Sequence, residues 1–497
     1  MSPAVGPAST PPQSASDWLA LSRRHEQRGE MSPMFVAAQR ALQLEPASLD
    51  ARFREIECLI VFGRTRVALQ RLVALEPDCA GDAVRMLQAG AVYSRLNRIP
   101  DYHRCYARAF DLARDDRNAR LNLARSFIVL GDLGRAQELL EDAIRAWPQD
   151  HEAWHALARL RKWTADDNHV ETLERLAGNA TDPASKVAFC YALHKELEDL
   201  GEDERAMQWL KLGARTLRGT LSYRPETDAA VMESIARNFP ASRVRAAPRT
   251  GLGLGAIFVI GLPRSGTTMV DRILSAHRKV ESLGELRDLT YAVMTGGGTV
   301  ASSPQAPAAR PAAAGMQAIG RCYMDAVATY RGDRPCFVDK APMNFLYAGL
   351  IRLALPGARI VLLRRDPMDS CLAIHKTLFR EGSPFACDLE DLGRYYLAWH
   401  RLAEHWTEAL GDAMLTVEYE SLVRNQEAET RRMLGYCGLE WDPACLDFHL
   451  NASPTATASA AQVRQPLYST SIGRWKRHAA DLEPLARVLT GAGIAIG

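Results

Sequence analysis

The stretch Ile257-Phe258-Val259-Ile260-Gly261-Leu262-Pro263-Arg264-Ser265-Gly266-Thr267-Thr268 decides how this chain folds. It is a short apolar run that stops at a loop framed by glycines and continues into an amphipathic segment. An apolar run bounded by turn residues predicts a buried parallel strand. The spacing of Gly261 and Gly266 before two threonines lets backbone N–H groups surround an anion at a helix N-terminus. We therefore expect an anionic group to bind at residues 264–268.

The loop differs from the loops that bind nucleoside triphosphates, because Thr267 stands where their lysine would be. A triphosphate needs that lysine and Mg²⁺ to offset the charge on its β and γ phosphates. A ligand whose terminal group carries less charge can be held by backbone N–H groups, by the hydroxyls of Thr267 and Thr268, and by the guanidinium of Arg264. A metal-dependent nucleotide kinase remains the alternative.

Composition and charge exclude several classes of protein. The 497 residues are 47% apolar and 24% charged, which leaves room for several packed domains. The formal net charge of +2 gives no reason to expect nucleic acid as a partner. The 10 cysteines lie singly, without metal-binding spacing, so we expect no disulfide framework and no metal site. The longest apolar run, 252–262, is too short to span a bilayer. These features favour a cytoplasmic protein.

The chain divides into segments of different pattern. Residues 1–16 are rich in Pro, Ser and Ala, lack the features of a signal peptide, and predict a disordered leader. Residues 17–239 predict a helical domain, and residues 240–255 a linker. Residues 256–490 alternate strand-like runs with helical patterns, which favours a parallel sheet with crossover helices. Within them, the Gly-, Ala- and Pro-rich segment 295–315 predicts a flexible loop, either a lid or a passive insertion.

The helical domain contains an internal repeat. Gly63, Ala68 and Leu72 are followed 68 residues later by the same residue types, which is twice a 34-residue period. This period resembles the tetratricopeptide repeat, although the unit around residues 93–112 fits the pattern poorly. Each unit of such an array buries its apolar face against its neighbours and leaves a groove. We expect the groove either to hold a partner peptide or only to pack on the next domain.

Two further basic elements accompany the opening loop. Arg365 follows the apolar run 359–363, and Asp366-Pro367 marks the start of a helix. Arg365 should therefore lie at the carboxyl edge of the sheet, where open α/β folds bind ligands. The C-terminal segment 462–478 has no acidic residue and suits a phosphate clamp formed by Gly473, Arg474, Trp475 and Lys476. The alternatives are an arginine that pairs with a neighbouring carboxylate and a solvated basic surface.

These motifs, taken in order, resemble a known family. Residues 261–268 resemble the 5′-phosphosulfate loop of sulfotransferases that use 3′-phosphoadenosine-5′-phosphosulfate (PAPS), and residues 363–373 their 3′-phosphate element. Gly473 to Lys476 resemble their C-terminal nucleotide loop, and residues 417–422 the strand end whose tyrosine, here Tyr419, lies near the adenine. The likeness is strongest to bacterial proteins that join tetratricopeptide-like repeats to a sulfotransferase domain similar to tyrosylprotein sulfotransferases.

The resemblance implies a fold, a reaction and a set of residues. The fold is an all-α solenoid followed by an α/β, P-loop-like sulfotransferase domain. The reaction is transfer of a sulfuryl group from PAPS to an acceptor hydroxyl, which releases 3′,5′-adenosine bisphosphate (PAP) without a required metal. Residues 264–268 would hold the phosphosulfate, and Arg365 and Arg474 the 3′-phosphate.

Two catalytic roles follow from the same likeness. The stretch 283–287 aligns with the one that carries the family's catalytic base, which implies that role for Glu285. The stretch 338–342 aligns with the one whose lysine contacts the leaving group, which implies Lys340. The pair is chemically reasonable, because a carboxylate can take the proton of an attacking hydroxyl while Lys340 and Arg264 stabilise the departing phosphate oxygen.

Several points stay open at the level of sequence. Ala373 stands where the family usually has a serine, and we expect Ser370, one helical turn earlier, to replace it in part. His277 and Glu281 are weaker candidates for the base, and a structural hydrogen bond is expected for His277. A protein tyrosine, held by the repeat groove, is the favoured acceptor, with carbohydrates and small phenols as alternatives. A protein-binding scaffold with an inactive sulfotransferase domain is the competing function.

Overall fold

The structure is a computed structural model that describes residues 12–246, 251–295, 315–379, 383–451, 463, 465, 467 and 469–497. Most of the predicted flexible loop at 295–315, and residues 1–11 of the predicted leader, lie outside these residues. Within them an all-helical half precedes a half built on a parallel sheet. The predicted fold class is therefore confirmed.

The first half consists of helices that pack as successive hairpins. They are α1 (Ala15–Gln27), α2 (Met31–Leu44), α3 (Leu49–Val61), α4 (Thr65–Cys79), α5 (Ala83–Arg95), α6 (Ile99–Leu112), α7 (Arg117–Leu130), α8 (Leu133–Ala146), α9 (His151–Ala158), α10 (Val170–Asn179), α11 (Pro183–Leu200) and α12 (Asp203–Gly219).

The hairpins repeat with a constant 34-residue spacing. Helices α1, α3, α5, α7 and α9 begin at residues 15, 49, 83, 117 and 151, and α2, α4, α6 and α8 begin at 31, 65, 99 and 133. The first helix of each unit is capped by a side chain that accepts hydrogen bonds from first-turn N–H groups, at Ser14, Ser48, Asp82, Asp116 and Asp150. The unit around 93–112 keeps this spacing, although its sequence fits the repeat poorly.

The poor fit of that unit has a packing cause. Tyr106 of α6 occupies the position that Leu72 and Leu140 hold in α4 and α8, 34 residues away on either side. Gly90 of α5 faces it, and a Cβ atom there would lie 2.4 Å from Cε1 of Tyr106. The larger ring on one helix is thus accommodated by the missing side chain on the other. The usual pattern of residue sizes is lost while the geometry is kept.

The second half is built on a five-stranded, all-parallel sheet in the order β2-β3-β1-β4-β5. The strands are β1 (Ala256–Gly261), β2 (Val280–Ser282), β3 (Cys336–Asp339), β4 (Arg359–Arg364) and β5 (Met414–Glu418). Strand β1 is fully buried in the centre, as its apolar sequence predicts. The loop after β1 therefore lies at the middle of the sheet's carboxyl edge, between the ends of β3 and β4.

Helices and short 3-10 turns surround the sheet. The helices are α13 (Pro225–Asn238), α14 (Ala241–Arg245), α15 (Thr267–Ala276), α16 (Asp288–Thr295), α17 (Met316–Val327), α18 (Ala348–Ala354), α19 (Pro367–His375), α20 (Leu389–Leu410), α21 (Tyr419–Arg424), α22 (Gln426–Tyr436) and α23 (Glu483–Gly491). The 3-10 turns are Pro342–Tyr347, Pro384–Cys387, Gly411–Ala413, Pro443–Cys445, Phe448–Leu450 and Arg474–His478.

The boundaries differ from those predicted. Helix α1 begins at Ala15, inside the expected leader, because Ser14 caps it. Helix α14 occupies part of the expected linker at 240–255, and its Val244 is buried in the apolar core of the second half. Helix α13 belongs to the same core through Ile235. The Pro, Gly and Arg content of the expected linker thus hid one short helix, α14, which buries Val244 against the α/β half.

The repeats contact the α/β half directly. Thr65, at the start of α4, donates a hydrogen bond from Oγ1 to Oδ1 of the buried Asp288 at 3.0 Å. At the other end of the array, Nε of Arg218 in α12 donates to Oδ2 of Asp391 at 2.8 Å. Packing on the next domain is therefore one role of the array. In the part of the chain that the structure describes, no helix combines the length and apolar character needed to cross a membrane.

Candidate functional site

The loop between β1 and α15 has the shape that its glycines predict. Gly266 adopts a φ of 103°, and Arg264 also lies in the left-handed region with a φ of 66°. The buried hydroxyl of Ser265 donates to the carbonyl of Leu262 at 2.7 Å, so this side chain stabilises the turn itself. Helix α15 then begins without a side-chain cap. An uncapped helix start can present its N–H groups to an anion.

Tyr419 explains why position 266 must be glycine. A Cβ atom at Gly266 would lie 2.7 Å from Cδ2 of the Tyr419 ring. The tyrosine is 8% exposed, and its hydroxyl shares a hydrogen bond of 2.8 Å with Oγ of Ser471. The guanidinium carbon of Arg365 lies 4.7 Å from the ring centroid. The glycine loop, the tyrosine and the arginine thus form one packed unit.

Arg365 holds this unit together through backbone carbonyls. Its Nη1 donates to the carbonyl of Arg264 at 3.2 Å, and its Nη2 donates to the carbonyl of Ser471 at 2.8 Å. Among the described residues its Nε has no hydrogen-bond partner, and no carboxylate forms an ion pair with the guanidinium. The alternative in which Arg365 pairs with a neighbouring carboxylate is therefore not observed. Carbonyls leave the positive charge uncompensated, so the charge is available to an anion.

The C-terminal turn is attached to α19 by one carboxylate. Asp369 accepts hydrogen bonds from the backbone N–H of Gly473 at 2.6 Å and from that of Trp475 at 3.0 Å. Gly473 has a φ of 70°, which suits glycine at this reversal. Trp475 is buried in the apolar core, and Lys476 points to solvent. Of the expected clamp, only Arg474 faces the site.

A cavity of about 600 Å³ opens beside these groups. Its volume lies within the usual range for small-molecule sites, about 300–1,000 Å³. The predicted residues that line it are Arg264, Gly266, Thr267, Thr268, Arg365, Tyr419 and Arg474. Its opposite wall comes from the repeats, with side chains of α9 and α11 such as His155, His194 and Glu198. No local sequence pattern indicated this second wall.

The structure places Ser370 away from the cavity. Asp369, Leu372, Ala373 and Lys376 line the cavity from one face of α19 and the residue that ends it, whereas Ser370 is 1% exposed and lies off the cavity. Consecutive residues of a helix point about 100° apart, so the side chain of Ser370 points about 100° away from that of Asp369, which lines the cavity. One turn after Ala373, Lys376 and Thr377 both line the cavity.

Glu285 and Lys340 are brought together, as the resemblance implies. Lys340 follows β3 and is 1% exposed, and its Nζ forms an ion pair with Oε1 of Glu285. The side chain of Glu285 is 47% exposed. The backbone N–H of Lys340 also donates to the carbonyl of Gly284 at 2.9 Å. The pair lies at the carboxyl ends of β2 and β3, off the lining of the 600 Å³ cavity.

Asp271 connects this pair to the loop helix. It lies on α15, one turn after Thr268, and is buried. Burial raises the pKa of Asp271, while the charge of Lys340 and a hydrogen bond with Ser282 oppose that shift. The ammonium of Lys340 is thus close enough to α15 to act electrostatically on it. The Glu285–Lys340 pair therefore lies near the helix that follows the phosphate loop, although it does not line the cavity.

The competing candidates for the base have structural roles. His277 is fully buried, accepts from the N–H of Lys279 at 3.0 Å and contacts the carbonyl of Glu440 at 3.1 Å through its other ring nitrogen. Glu281 accepts from the N–H of Gly332 at 2.8 Å, at the amino end of β3. Both are engaged away from the cavity. Over the described ranges, no group of three His, Cys, Asp or Glu side chains is placed to hold a metal ion.

Comparisons with known proteins agree with this architecture. Residues 256–443 match the model of a sulfotransferase family, and residues 117–160 match a tetratricopeptide repeat model. An uncharacterised protein of Aquifex aeolicus is 27% identical over 371 residues, which cover 72% of this chain and 48% of that protein. The protein-tyrosine sulfotransferase of Drosophila melanogaster is 23% identical over 47% of this chain and 51% of its own length. The chain thus spans about half the length of these two relatives.

The sulfotransferase domain from the Synechococcus PCC 7002 olefin synthase aligns with 47% of this chain and 98% of its own, at 17% identity and a TM-score of 0.29. The family matches confirm both resemblances drawn from the sequence. The chain therefore joins tetratricopeptide-type repeats to a domain that matches the sulfotransferase family.

Proposed function

We propose that the chain transfers a sulfuryl group from PAPS to an acceptor hydroxyl and releases PAP. The main support is the packed unit of glycine loop, Tyr419 and Arg365 at the edge of the cavity. It offers an uncapped helix start and an arginine that, among the residues the structure describes, contacts backbone carbonyls and no carboxylate. A loop without the triphosphate-binding lysine favours this donor over ATP.

The residues present suit such a donor. PAPS supplies an activated sulfuryl group on its 5′-phosphate and carries a second phosphate at the 3′ position. The loop at 264–268 would hold the 5′ end, with the side chain of Ser265 supporting the turn. Arg365 and Arg474 would hold the 3′-phosphate, since both line the same cavity. Tyr419 would lie beside the adenine.

Glu285 and Lys340 have the two remaining roles, removal of a proton and stabilisation of the leaving group. Glu285 takes the proton of the attacking hydroxyl, which makes the oxygen a better nucleophile. Lys340 and Arg264 stabilise the charge that develops on the departing phosphate oxygen. The ion pair keeps both groups at adjacent strand ends. Because Glu285 is half exposed, an acceptor can reach it from solvent.

For the acceptor we propose a protein tyrosine. The support is the similarity to protein-tyrosine sulfotransferases of Drosophila melanogaster and, at 24% identity over 48% of this chain, of Caenorhabditis elegans. The exposure of Glu285 suits an acceptor that is part of a large molecule. The repeats lie at the same edge of the domain, where Asn97 donates to the carbonyl of Leu283. They are thus placed to guide a peptide toward Glu285.

Binding measurements with the full chain separate this function from its alternatives. Calorimetry should show that PAP binds in the absence of divalent metal, and labelled sulfate should pass from PAPS to a tyrosine-containing peptide. Tight ATP binding that depends on Mg²⁺, together with no binding of PAP, would support a kinase instead. PAPS binding without transfer to any peptide, carbohydrate or phenol would support the inactive scaffold.

A further inference from the structure

Three charged side chains from separate elements meet at one corner of the cavity. Glu198 lies on α11 of the repeats, Lys376 ends α19, and Arg474 opens the C-terminal 3-10 turn. Oε1 of Glu198 accepts from Nζ of Lys376 and lies 3.0 Å from Nη2 of Arg474. The side chains of Glu198 and Lys376 are 8% and 16% exposed, and all three residues line the cavity. These three side chains are therefore held in defined positions, and they connect the repeats to the proposed nucleotide site.

The charges of this corner do not cancel. Burial would raise the pKa of Glu198, but Lys376, His194 and Arg474 outweigh it and hold that pKa at about 2. Burial lowers the pKa of Lys376, and the charge of Glu198 opposes that shift. One carboxylate thus supports two cations, and the excess positive charge faces the cavity that also contains Arg264 and Arg365. An anion bound in the cavity would balance this excess charge.

The position of Lys376 indicates which anion. Ala373 provides no hydroxyl, and the hydroxyl of Thr377, one turn later, donates to the carbonyl of Ala373. Lys376 is therefore the charged side chain that lines the cavity one turn after Ala373. Asp369, which also lines the cavity, fixes the turn that carries Arg474. Both cations therefore have a defined position relative to each other. Lysine and arginine are the usual ligands of a phosphate group.

We propose that Lys376 binds the 3′-phosphate together with Arg474, and that Glu198 of the repeats is the positioning residue that holds both cations in place. The repeats are then part of the nucleotide site rather than only a packing or docking module. This inference rests on the proposed function. Glu198 acts through the two cations, so its removal should affect only ligands that carry a 3′-phosphate.

The test compares two nucleotides that differ at one group. PAP carries the 3′-phosphate and adenosine 5′-monophosphate (AMP) lacks it, so the Kd of AMP divided by the Kd of PAP measures the 3′-phosphate contact. Calorimetry on the full chain should show that Lys376→Ala lowers this ratio by about tenfold or more, the size of a lost charge-assisted contact, with little change for AMP. Lys376→Arg should keep most of the preference. Glu198→Gln should lower the ratio in the same direction.

A matched control lies on the neighbouring helix. Glu202 precedes α12, is partly exposed and pairs with Arg205 away from the cavity. Glu202→Gln should leave both Kd values unchanged. Tighter PAP binding by Glu198→Gln would overturn the inference, because Glu198 would then compete with the phosphate. An unchanged ratio of the two Kd values in Lys376→Ala would overturn the inference as well. Failure of the wild-type chain to bind either nucleotide would instead refute the proposed function and this inference with it.

Discussion

Replacing Gly266 with alanine tests the packed unit at the phosphate loop. The new Cβ atom would have to fit 2.7 Å from Cδ2 of Tyr419, at a φ of 103°. The left-handed conformation costs a residue with a Cβ about 1–2 kcal/mol. Overpacking of a fixed site costs about 1–3 kcal/mol. Alanine also lowers the conformational entropy of the unfolded chain, which offsets about 0.4–1 kcal/mol of this cost. The net cost is on the order of 1–4 kcal/mol.

The tyrosine cannot easily move to relieve this strain. Its hydroxyl forms a hydrogen bond with the hydroxyl of Ser471, and the guanidinium of Arg365 lies against its ring. We therefore expect the loop to shift, which displaces the groups that hold the 5′ end of the nucleotide. At 1.4 kcal/mol per factor of ten, PAP affinity should fall by about fivefold to several hundredfold.

Calorimetric titration with PAP measures this loss. Gly435→Ala is the matched control, because Gly435 lies in α22 with no atom within 4 Å of the added Cβ atom. That variant should bind PAP as the wild type does. If Gly266→Ala also bound PAP with unchanged affinity, the contact between the loop and Tyr419 would not govern nucleotide binding.

Two further predictions concern stability. Gly90→Ala places a Cβ atom 2.4 Å from Tyr106, so it should lower the free energy of unfolding in urea despite a helix-propensity gain of about 1 kcal/mol. Tyr106→Leu should remove that penalty in the double variant, and a stabilising effect of Gly90→Ala alone would contradict the packing argument. Burial raises the pKa of Asp339 to about 8, far above its unfolded value near 3.8. The folded state therefore keeps a proton that the unfolded chain releases, and the free energy of unfolding should fall as pH rises from about 4 to about 8. Asp339→Asn should flatten this dependence in thermal denaturation, and an unchanged slope would refute it.

The elements that could be predicted from sequence are those whose signal is local. The apolar run of β1, the spacing of Gly261 and Gly266, and the strand that ends at Arg365 place the phosphate loop and its arginine at one sheet edge. The 34-residue period predicts the helical hairpins. Glu285 and Lys340 were found by likeness to a family, because nothing in their own neighbourhood distinguishes them from surface residues.

The elements that could not be predicted depend on contacts between distant segments. Glu198 and Lys376 are 178 residues apart, and no pattern in α11 or α19 indicates that they meet. Ser370 is three residues from Ala373, yet the structure buries it off the cavity, which spacing along the helix does not reveal. Trp475 stands in a basic segment that resembles a clamp, yet its ring fills the apolar core. Burial of this kind is decided by packing partners that only the fold supplies.

The role of the Glu285–Lys340 pair can be measured most directly by labelled sulfate transfer from PAPS to a tyrosine peptide. The wild type should be compared with Glu285→Gln, Lys340→Ala and the control Glu202→Gln, with PAP affinity determined for each. We expect Glu285→Gln and Lys340→Ala to lose transfer by about a hundredfold or more while still binding PAP, because each removes a group that acts on the reacting atoms. Full transfer activity in both variants would show that this pair does not carry the reaction.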